Sequence, residues 1–196
     1  MFVLAICATA CSTVRSVKSS DAGLKVLTRA EWGANPPVAE MKTQSVSRIT
    51  IHHTATLQKP DRSLADKMRA LQKFSQNPGA LGNGKIKPAW PDVPYHFYVD
   101  CHGEIAEGRD VRYVGDTNTA YDPTGHLLVV LEGNFEEEQV GQRQLETLKR
   151  FIAMVKERHQ IGPDSVGSHK EFAETLCPGK NLQMLLTEIR EHAAGR

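Results

Sequence analysis

The sequence predicts one α/β domain with a central mixed β-sheet flanked by helices. Residues 48–53 alternate β-branched and polar side chains, which is typical of a strand. Residues 127–131 form a continuous apolar run, which indicates a strand buried on both faces. Apolar residues recur at helical spacing in three other segments. Strands mixed with covering helices predict a layered sheet domain.

The first predicted strand carries two adjacent histidines. Successive side chains of a strand point to opposite faces, so Ile49, Ile51 and His53 share one face and His52 lies on the other. If the isoleucines face the core, His53 is a hydrogen-bonded packing residue and His52 faces an open cleft.

A helix is predicted next, over residues 62–76, with Asp61 or Ser63 as its N-cap. Its apolar stripe consists of Leu64, Met68, Leu71 and Phe74. Residues 77–94 are rich in proline and glycine and predict a long loop, of the kind that can line a substrate groove.

The remaining elements follow from the same patterns. Strands are predicted over residues 95–100, 104–107 and 127–131. A long helix contains Leu145, Leu148, Ile152 and Val155, and one C-terminal helix contains Leu182, Leu185, Leu186 and Ile189.

Size and composition limit the function classes. The chain has 196 residues, of which 40% are hydrophobic and 24% charged, and its formal net charge is +1. This length fits one domain with a sizeable core. No basic block or stripe is present, which argues against nucleic acid as a partner. We expect a monomer.

The N-terminus resembles an export signal. The apolar residues 1–10 are too short to span a bilayer, but they have the length and the small-residue ending of a signal-peptide core. Ala8-Thr9-Ala10 before Cys11 resembles a bacterial lipobox, which predicts a lipidated Cys11. Residues 1–25 are therefore interpreted as leader and tether of a periplasmic or membrane-anchored lipoprotein, and residues 26–196 as the folded domain. The alternative is a disordered or packed N-terminal strand.

A histidine and a cysteine near the C-terminus indicate a metal site. His169 and Cys177 flank one predicted loop, which ends in a Pro-Gly turn. Zinc prefers imidazole and thiolate ligands and needs more than two of them, so a third must come from elsewhere. A disulfide between Cys101 and Cys177 would remove one ligand, so the zinc hypothesis also predicts that no such disulfide forms.

Several motifs, taken in order, resemble the zinc amidases that include peptidoglycan recognition proteins and phage amidase lysozymes. They are Arg29–Ala34, Ile51–Ala55, Val93–Val99, Gly103–Ile105, Glu107–Arg109, Gly133–Phe135, His169–Thr175 and Cys177–Gly179. The resemblance implies zinc held by His52, His169 and Cys177 in a surface cleft, with Tyr95 and Thr175 lining the metal. One departure is residues 115–118, where eukaryotic-type members place a histidine.

The family enzymes hydrolyse the amide between the lactyl group of N-acetylmuramic acid and the L-alanine of peptidoglycan stem peptides. Three protein ligands are typical of catalytic zinc, which keeps a position for water. The Tyr95 hydroxyl, with Thr175 as a second donor, would stabilise the oxyanion. The general base stays open, with Glu132 and Glu174 as candidates. The alternative function is a peptidoglycan-binding recognition module without catalysis.

Overall fold

The computed structural model describes residues 23–81 and 84–196. Most of the predicted leader, with Cys7 and Cys11, lies outside these residues. Within the described ranges, no helix has the length and apolar character needed to cross a bilayer.

The described chain forms eight strands and five α-helices. The strands are β1 (Val26–Leu27), β2 (Arg48–His53), β3 (Gly79–Ala80), β4 (Ile86–Lys87), β5 (Phe97–Val99), β6 (Ile105–Glu107), β7 (His126–Leu131) and β8 (Val166–Ser168). The helices are α1 (Arg29–Trp32), α2 (Leu64–Ser75), α3 (Gln142–Arg158), α4 (Lys180–Gln183) and α5 (Leu186–Ala193). Short 3-10 turns cover Pro163–Ser165 and His169–Glu171.

Six of the strands form one mixed sheet in the order β1-β6-β5-β7-β2-β8. The strands β5, β7, β2 and β8 run parallel to one another, whereas β6 is antiparallel to β5. The predicted mixed sheet is therefore confirmed.

Helices cover both faces of this sheet. On one face, Ile49, Ile51 and Val129 pack with residues of α3 and α5 in the larger apolar cluster. On the other face, Val130 packs in a second cluster with residues of α1 and α2, including Trp32. The two faces of β7 thus lie in separate cores, as expected for the predicted strand buried on both faces.

Two predicted elements differ from the structure. The prediction of a single C-terminal helix is wrong, because α4 and α5 are separated by a turn at Met184 and Leu185. Both turn residues keep right-handed helical backbone angles, so the apolar spacing continues across the break.

The segment 77–94, predicted as a loop, contains two strands, since β3 and β4 pair antiparallel within it. Its anchor is Lys87, whose buried ammonium group donates hydrogen bonds to three backbone carbonyls and lies 4.7 Å from the centres of two aromatic rings. The carbonyls belong to Ser75, Asn77 and Pro88, and the rings to Phe74 and Trp90.

The parallel strands bring polar residues to one edge of the sheet. His52 and His53 end β2, and Asp100 and Glu132 follow β5 and β7 directly. His169 follows β8. Because the carboxyl ends of parallel strands meet at one edge, these side chains gather there, where open α/β sheets commonly carry their sites.

Candidate metal centre

His52, His169 and Cys177 come together at the carboxyl edge of the sheet. One donor atom from each residue lies within 4.8 Å of the other two. His52 lies on β2, His169 begins the 3-10 turn after β8, and Cys177 lies in the loop that follows. The structure therefore assembles the three residues that the sequence predicts as zinc ligands.

Local hydrogen bonds hold the turn that carries His169. The Ser168 backbone N–H donates to Glu171 Oε2 at 2.8 Å, and the side chain of Ser168 caps the turn. Arg190 on α5 then donates to both Glu171 oxygens at 2.8 Å. The turn is thus anchored to helix α5, which fixes the backbone position of His169.

Cys177 is positioned by two backbone contacts. Its sulfur accepts a hydrogen bond from the His53 N–H at 3.4 Å, and its own N–H donates to Thr175 Oγ1 at 3.1 Å. Gly179 lets the loop approach closely, because a Cβ there would lie 2.5 Å from the carbonyl carbon of Phe135. Gly179 also has φ of +90°, a conformation that glycine adopts without strain.

The spacing of the donor atoms fits zinc. Cys177 Sγ lies 3.6 Å from His52 Nδ1. Zinc bonds of about 2.3 Å to sulfur and about 2.1 Å to nitrogen, at the tetrahedral angle, place these two atoms about 3.6 Å apart. Two imidazoles and one sulfur are also a donor set that zinc prefers.

The protonation of the ligands follows from burial. Burial holds the pKa of His52 well below its ordinary value, and the nearby His169 lowers it further. Burial likewise lowers the pKa of His169 to about 4. Burial raises the pKa of the Cys177 thiol to about 12, against an opposing hydrogen bond from His53. The imidazoles are therefore neutral near pH 7, and binding of a metal ion would release the thiol proton.

Tyr95 lies beside the candidate ligands, as the sequence predicts. Its ring centre is 5.3 Å from that of His52, at an angle of 53°. Burial raises the pKa of the Tyr95 hydroxyl above its ordinary value, and Cys177 raises it further. The hydroxyl is therefore protonated at neutral pH and is able to donate a hydrogen bond.

His53 has the packing role expected from the strand pattern. Its Nδ1 accepts a hydrogen bond from the Phe135 N–H at 3.3 Å, and its ring stacks on that of Phe135 at 6.2 Å.

Two residues near His169 were not among the predicted site residues. Thr119 Oγ1 lies 2.7 Å from His169 Nε2, and the ring of Tyr121 lies 5.1 Å from that of His169. Both follow residues 115–118, the segment that departs from the motif pattern of the resembled family. That departure was the available signal, but it gave no indication of what takes the place of the missing histidine.

Unpaired polar atoms are concentrated in this region. In residues 23–81 and 84–196, three buried side-chain nitrogen or oxygen atoms have no hydrogen-bond partner. Two of them are His52 Nε2 and the Tyr121 hydroxyl. Buried polar atoms are normally paired, so such exceptions are typical of functional sites.

A second group of ligand-type residues lies at the same edge but is closed. The side chains of Asp100, Cys101 and His102 also have donor atoms within 4.8 Å of one another. However, Lys67 Nζ contacts Asp100 Oδ2 at 2.9 Å and Glu132 Oε2 at 2.8 Å. The lysine ammonium thus supplies the positive charge that a cation would bring. Cys101 and Cys177 are both free thiols in the described part of the chain.

The chain is similar to several known proteins. The chain matches the family model described as N-acetylmuramoyl-L-alanine amidase over residues 42–180. It is 25% identical over 171 residues to peptidoglycan-recognition protein SD of Drosophila simulans, covering 83% of this chain and 84% of that protein. It is 28% identical over 165 residues to the N-acetylmuramoyl-L-alanine amidase of Sus scrofa, covering 81% of this chain but only 26% of that protein.

The fold is similar to a solved relative. The crystal structure of Drosophila peptidoglycan recognition protein SD superimposes with a TM-score of 0.71 at 26% sequence identity, covering 85% of this chain and 95% of that one. The similar proteins thus include some named for recognition and some named for hydrolysis.

Proposed function

Because the chain belongs to the N-acetylmuramoyl-L-alanine amidase family, we propose that it hydrolyses the amide between the lactyl group of N-acetylmuramic acid and the L-alanine of peptidoglycan stem peptides. In this proposal a zinc ion is held by His52, His169 and Cys177. The observation that carries the proposal is the convergence of these three donor atoms, which forms a group of three protein ligands in the described residues. Three ligands are typical of catalytic zinc, whereas structural zinc is closed by four.

Bound zinc supplies two effects, a lower pKa for a coordinated water and polarisation of the amide carbonyl. The protein must then stabilise the negative charge that develops on the carbonyl oxygen. Tyr95 is suited to this because its buried hydroxyl stays protonated beside His52. Removing one such donor costs other enzymes about 10²- to 10³-fold in kcat.

Thr175 is the second proposed donor. Its Oγ1 already accepts a hydrogen bond from the Cys177 N–H, so the hydroxyl proton is left for another acceptor. The same contact orients Thr175 next to a proposed zinc ligand. Thr175 therefore combines support of the Cys177 loop with donation to the substrate.

Glu132 is unsuited to the role of general base. Its carboxylate accepts hydrogen bonds from Lys67 Nζ and from the backbone N–H groups of Lys59 and Cys101. A base needs a free lone pair within reach of the proton that it removes. Glu174, which is exposed in the loop that carries Thr175, is the remaining candidate of the two.

The alternative function is peptidoglycan recognition without hydrolysis, which is favoured by the similarity to proteins named for recognition. The first experiment measures the release of free L-alanine amino termini from purified muramyl-peptide by the domain comprising residues 26–196. We expect activity that is lost with a chelator and restored by zinc. Stoichiometric zinc with fragment binding but without turnover would instead support recognition.

Two serine variants sharpen this test. Cys177→Ser removes a proposed ligand, so turnover should be abolished under the amidase proposal. Cys101→Ser is the matched control, because Cys101 is also a free thiol but lies against Lys67. Equal loss of turnover in both variants would contradict the proposed ligand set.

We further propose that residues 1–25 are an export leader and tether, with Cys11 as the lipid attachment site. The position of β1 supports the boundary, because the first strand in the described part of the chain begins at Val26. The substrate in this proposal is peptidoglycan or a muropeptide, which a monomer binds outside the cytoplasm. Mass spectrometry of the mature N-terminus tests the proposed leader and lipid attachment site. An intact Met1 on exported protein would contradict both.

A further inference from the structure

Two threonines form a short chain of hydrogen bonds that ends on the imidazole of His169. Thr119 Oγ1 lies 2.7 Å from His169 Nε2 and 2.7 Å from Thr117 Oγ1. The Thr119 backbone N–H also donates to Thr117 Oγ1 at 3.2 Å. Both threonines are half-buried.

The contact with Thr119 decides which nitrogen of His169 is left for a metal ion. Since Nε2 is hydrogen-bonded to Thr119, Nδ1 is the nitrogen left to bind a metal ion. A nitrogen that binds a metal gives its lone pair, so the ring proton must then reside on Nε2. In that tautomer Nε2 donates and Thr119 Oγ1 accepts.

The rest of the chain is consistent with this direction. Because Thr119 Oγ1 accepts from His169, its own hydroxyl proton is free to point at Thr117 Oγ1. Thr117 Oγ1 then accepts both from that hydroxyl and from the Thr119 N–H. Every hydrogen bond in the chain therefore has one donor and one acceptor when His169 is in the metal-binding tautomer.

We propose that Thr119 is a positioning residue that holds His169 in the Nε2–H tautomer and aims Nδ1 at the metal. The inference rests on the zinc site proposed above. The second proposed imidazole ligand has no such support, since His52 Nε2 is buried without a partner in the described residues. Of the two proposed imidazole ligands, only His169 is thus supported by a hydrogen bond at its Nε2, with Thr119, which lies 50 positions away in the sequence.

The test measures the zinc affinity of purified protein by competition with a chromophoric chelator. Partners that orient a metal-bound histidine typically contribute about 10- to 100-fold to metal affinity. We therefore expect Thr119→Val to raise the Kd for zinc by about that factor. Thr119→Ser keeps the accepting oxygen and should retain an affinity close to that of the unmodified protein.

Two further variants control for the change of side chain. Thr117→Val leaves the contact between Thr119 and His169 in place, so its effect should be smaller than that of Thr119→Val. Thr124→Val is the matched control, because the Thr124 hydroxyl contacts Asp122 and Lys42. It should leave the Kd unchanged. Cobalt absorption provides a second readout, since a reoriented imidazole in Thr119→Val changes the ligand-field bands.

Several results would overturn the inference. An unchanged Kd and an unchanged cobalt spectrum in Thr119→Val would overturn the role of Thr119 alone, while the zinc site stands. Equal losses in Thr119→Ser and Thr119→Val would show that the accepting oxygen is not what matters. Absence of zinc binding in the unmodified protein would overturn both the zinc site and this inference. Urea unfolding in chelator identifies any variant whose loss comes from misfolding.

Discussion

Two clusters of buried polar side chains lie at the same edge of one sheet and differ in how completely their atoms are paired. In the first, Lys67 joins Asp100 and Glu132, and all three side chains are at most 3% exposed. In the second, His52 and Cys177 lie within 3.6 Å of each other, and His52 Nε2 has no partner within the described residues. Lys67 supplies the counter-charge of the first cluster. In the second cluster, no positive group among the described residues pairs with the three potential metal ligands.

This difference separates a structural group from a candidate site. Spacing alone does not, because both regions contain ligand-type atoms within 4.8 Å. In the closed cluster each carboxylate accepts from Lys67 and from backbone N–H groups, including those of His102 and Cys101. A second cation there would be repelled by the ammonium group. The absence of an internal counter-charge is therefore the property that marks the His-His-Cys group.

The largest expected effect on stability is that of Lys67→Met. Removing one partner from a buried charge group typically costs about 3–5 kcal/mol, because the remaining charges are left unpaired. We expect a loss of about that size in the free energy of unfolding, measured by urea denaturation in chelator. Cys177→Ser, which leaves no buried charge behind, should cost far less. Equal losses in both variants would remove the contrast between the clusters.

The second prediction concerns stabilisation by zinc. A ligand that binds only the folded state at about 1,000 times its Kd stabilises it by about 4 kcal/mol. We expect the metal-free protein to gain stability of that order with zinc, measured as a rise in Tm, and Cys177→Ser to lose most of the gain. A full gain in Cys177→Ser would place the bound metal elsewhere.

The third prediction is the pH range over which the closed cluster is stable. Burial raises the pKa of Glu132, but hydrogen bonds from Lys67 and two backbone N–H groups outweigh it, so the net pKa is below 4.5. A depressed carboxyl pKa gives stability that is complete above the unfolded value and is lost as the pH falls through the folded value. Acidification below about pH 4.5 should therefore destabilise the unmodified protein more steeply than Glu132→Gln. Equal slopes in urea unfolding would contradict this.

The same reasoning gives an upper pH limit for the stability of the closed cluster. Burial lowers the pKa of Lys67, but its hydrogen bonds with Glu132 and Asp100 outweigh it, so the net pKa is above 10.5. A raised lysine pKa gives stability that is complete below the unfolded value and is lost as the pH rises through the folded value. Lys67 and Glu132 are thus both charged across the neutral range.

The smallest expected effect is that of Tyr121→Phe. The Tyr121 hydroxyl is buried and has no partner among the described residues, so removing it should leave the free energy of unfolding unchanged or raise it by up to about 1 kcal/mol. Urea unfolding in chelator measures this. A clear loss of stability would mean that the hydroxyl has a partner. The two clusters would then differ less in how completely their polar atoms are paired.

Much of the sheet was predictable because its pattern is local. Alternation in β2 separates His52 from His53, and the apolar run of β7 matches a strand between two cores. The candidate ligands His169 and Cys177 followed from residue type and from family resemblance, and the structure brings them to His52.

The remaining parts depend on contacts between distant segments. Thr119 reaches His169 across 50 positions, and no local pattern marks it. Lys67 had a local signal, since it lies three residues after Leu64 and therefore on the apolar stripe of α2. Its meaning required the partners at Asp100 and Glu132, which are 33 and 65 positions away.

The separation of the proposed ligands along the chain has a consequence for biosynthesis. His52 and Cys177 lie 125 positions apart, and His169 and Cys177 both follow β8, the last strand. A ribosome adds about 5–20 residues per second, so His52 is synthesised several seconds before its partners. A nascent chain that ends before residue 169 contains most of the sheet but only one of the three donors. A metal ion held by all three proposed ligands is therefore bound only after residues 169–177 have been synthesised.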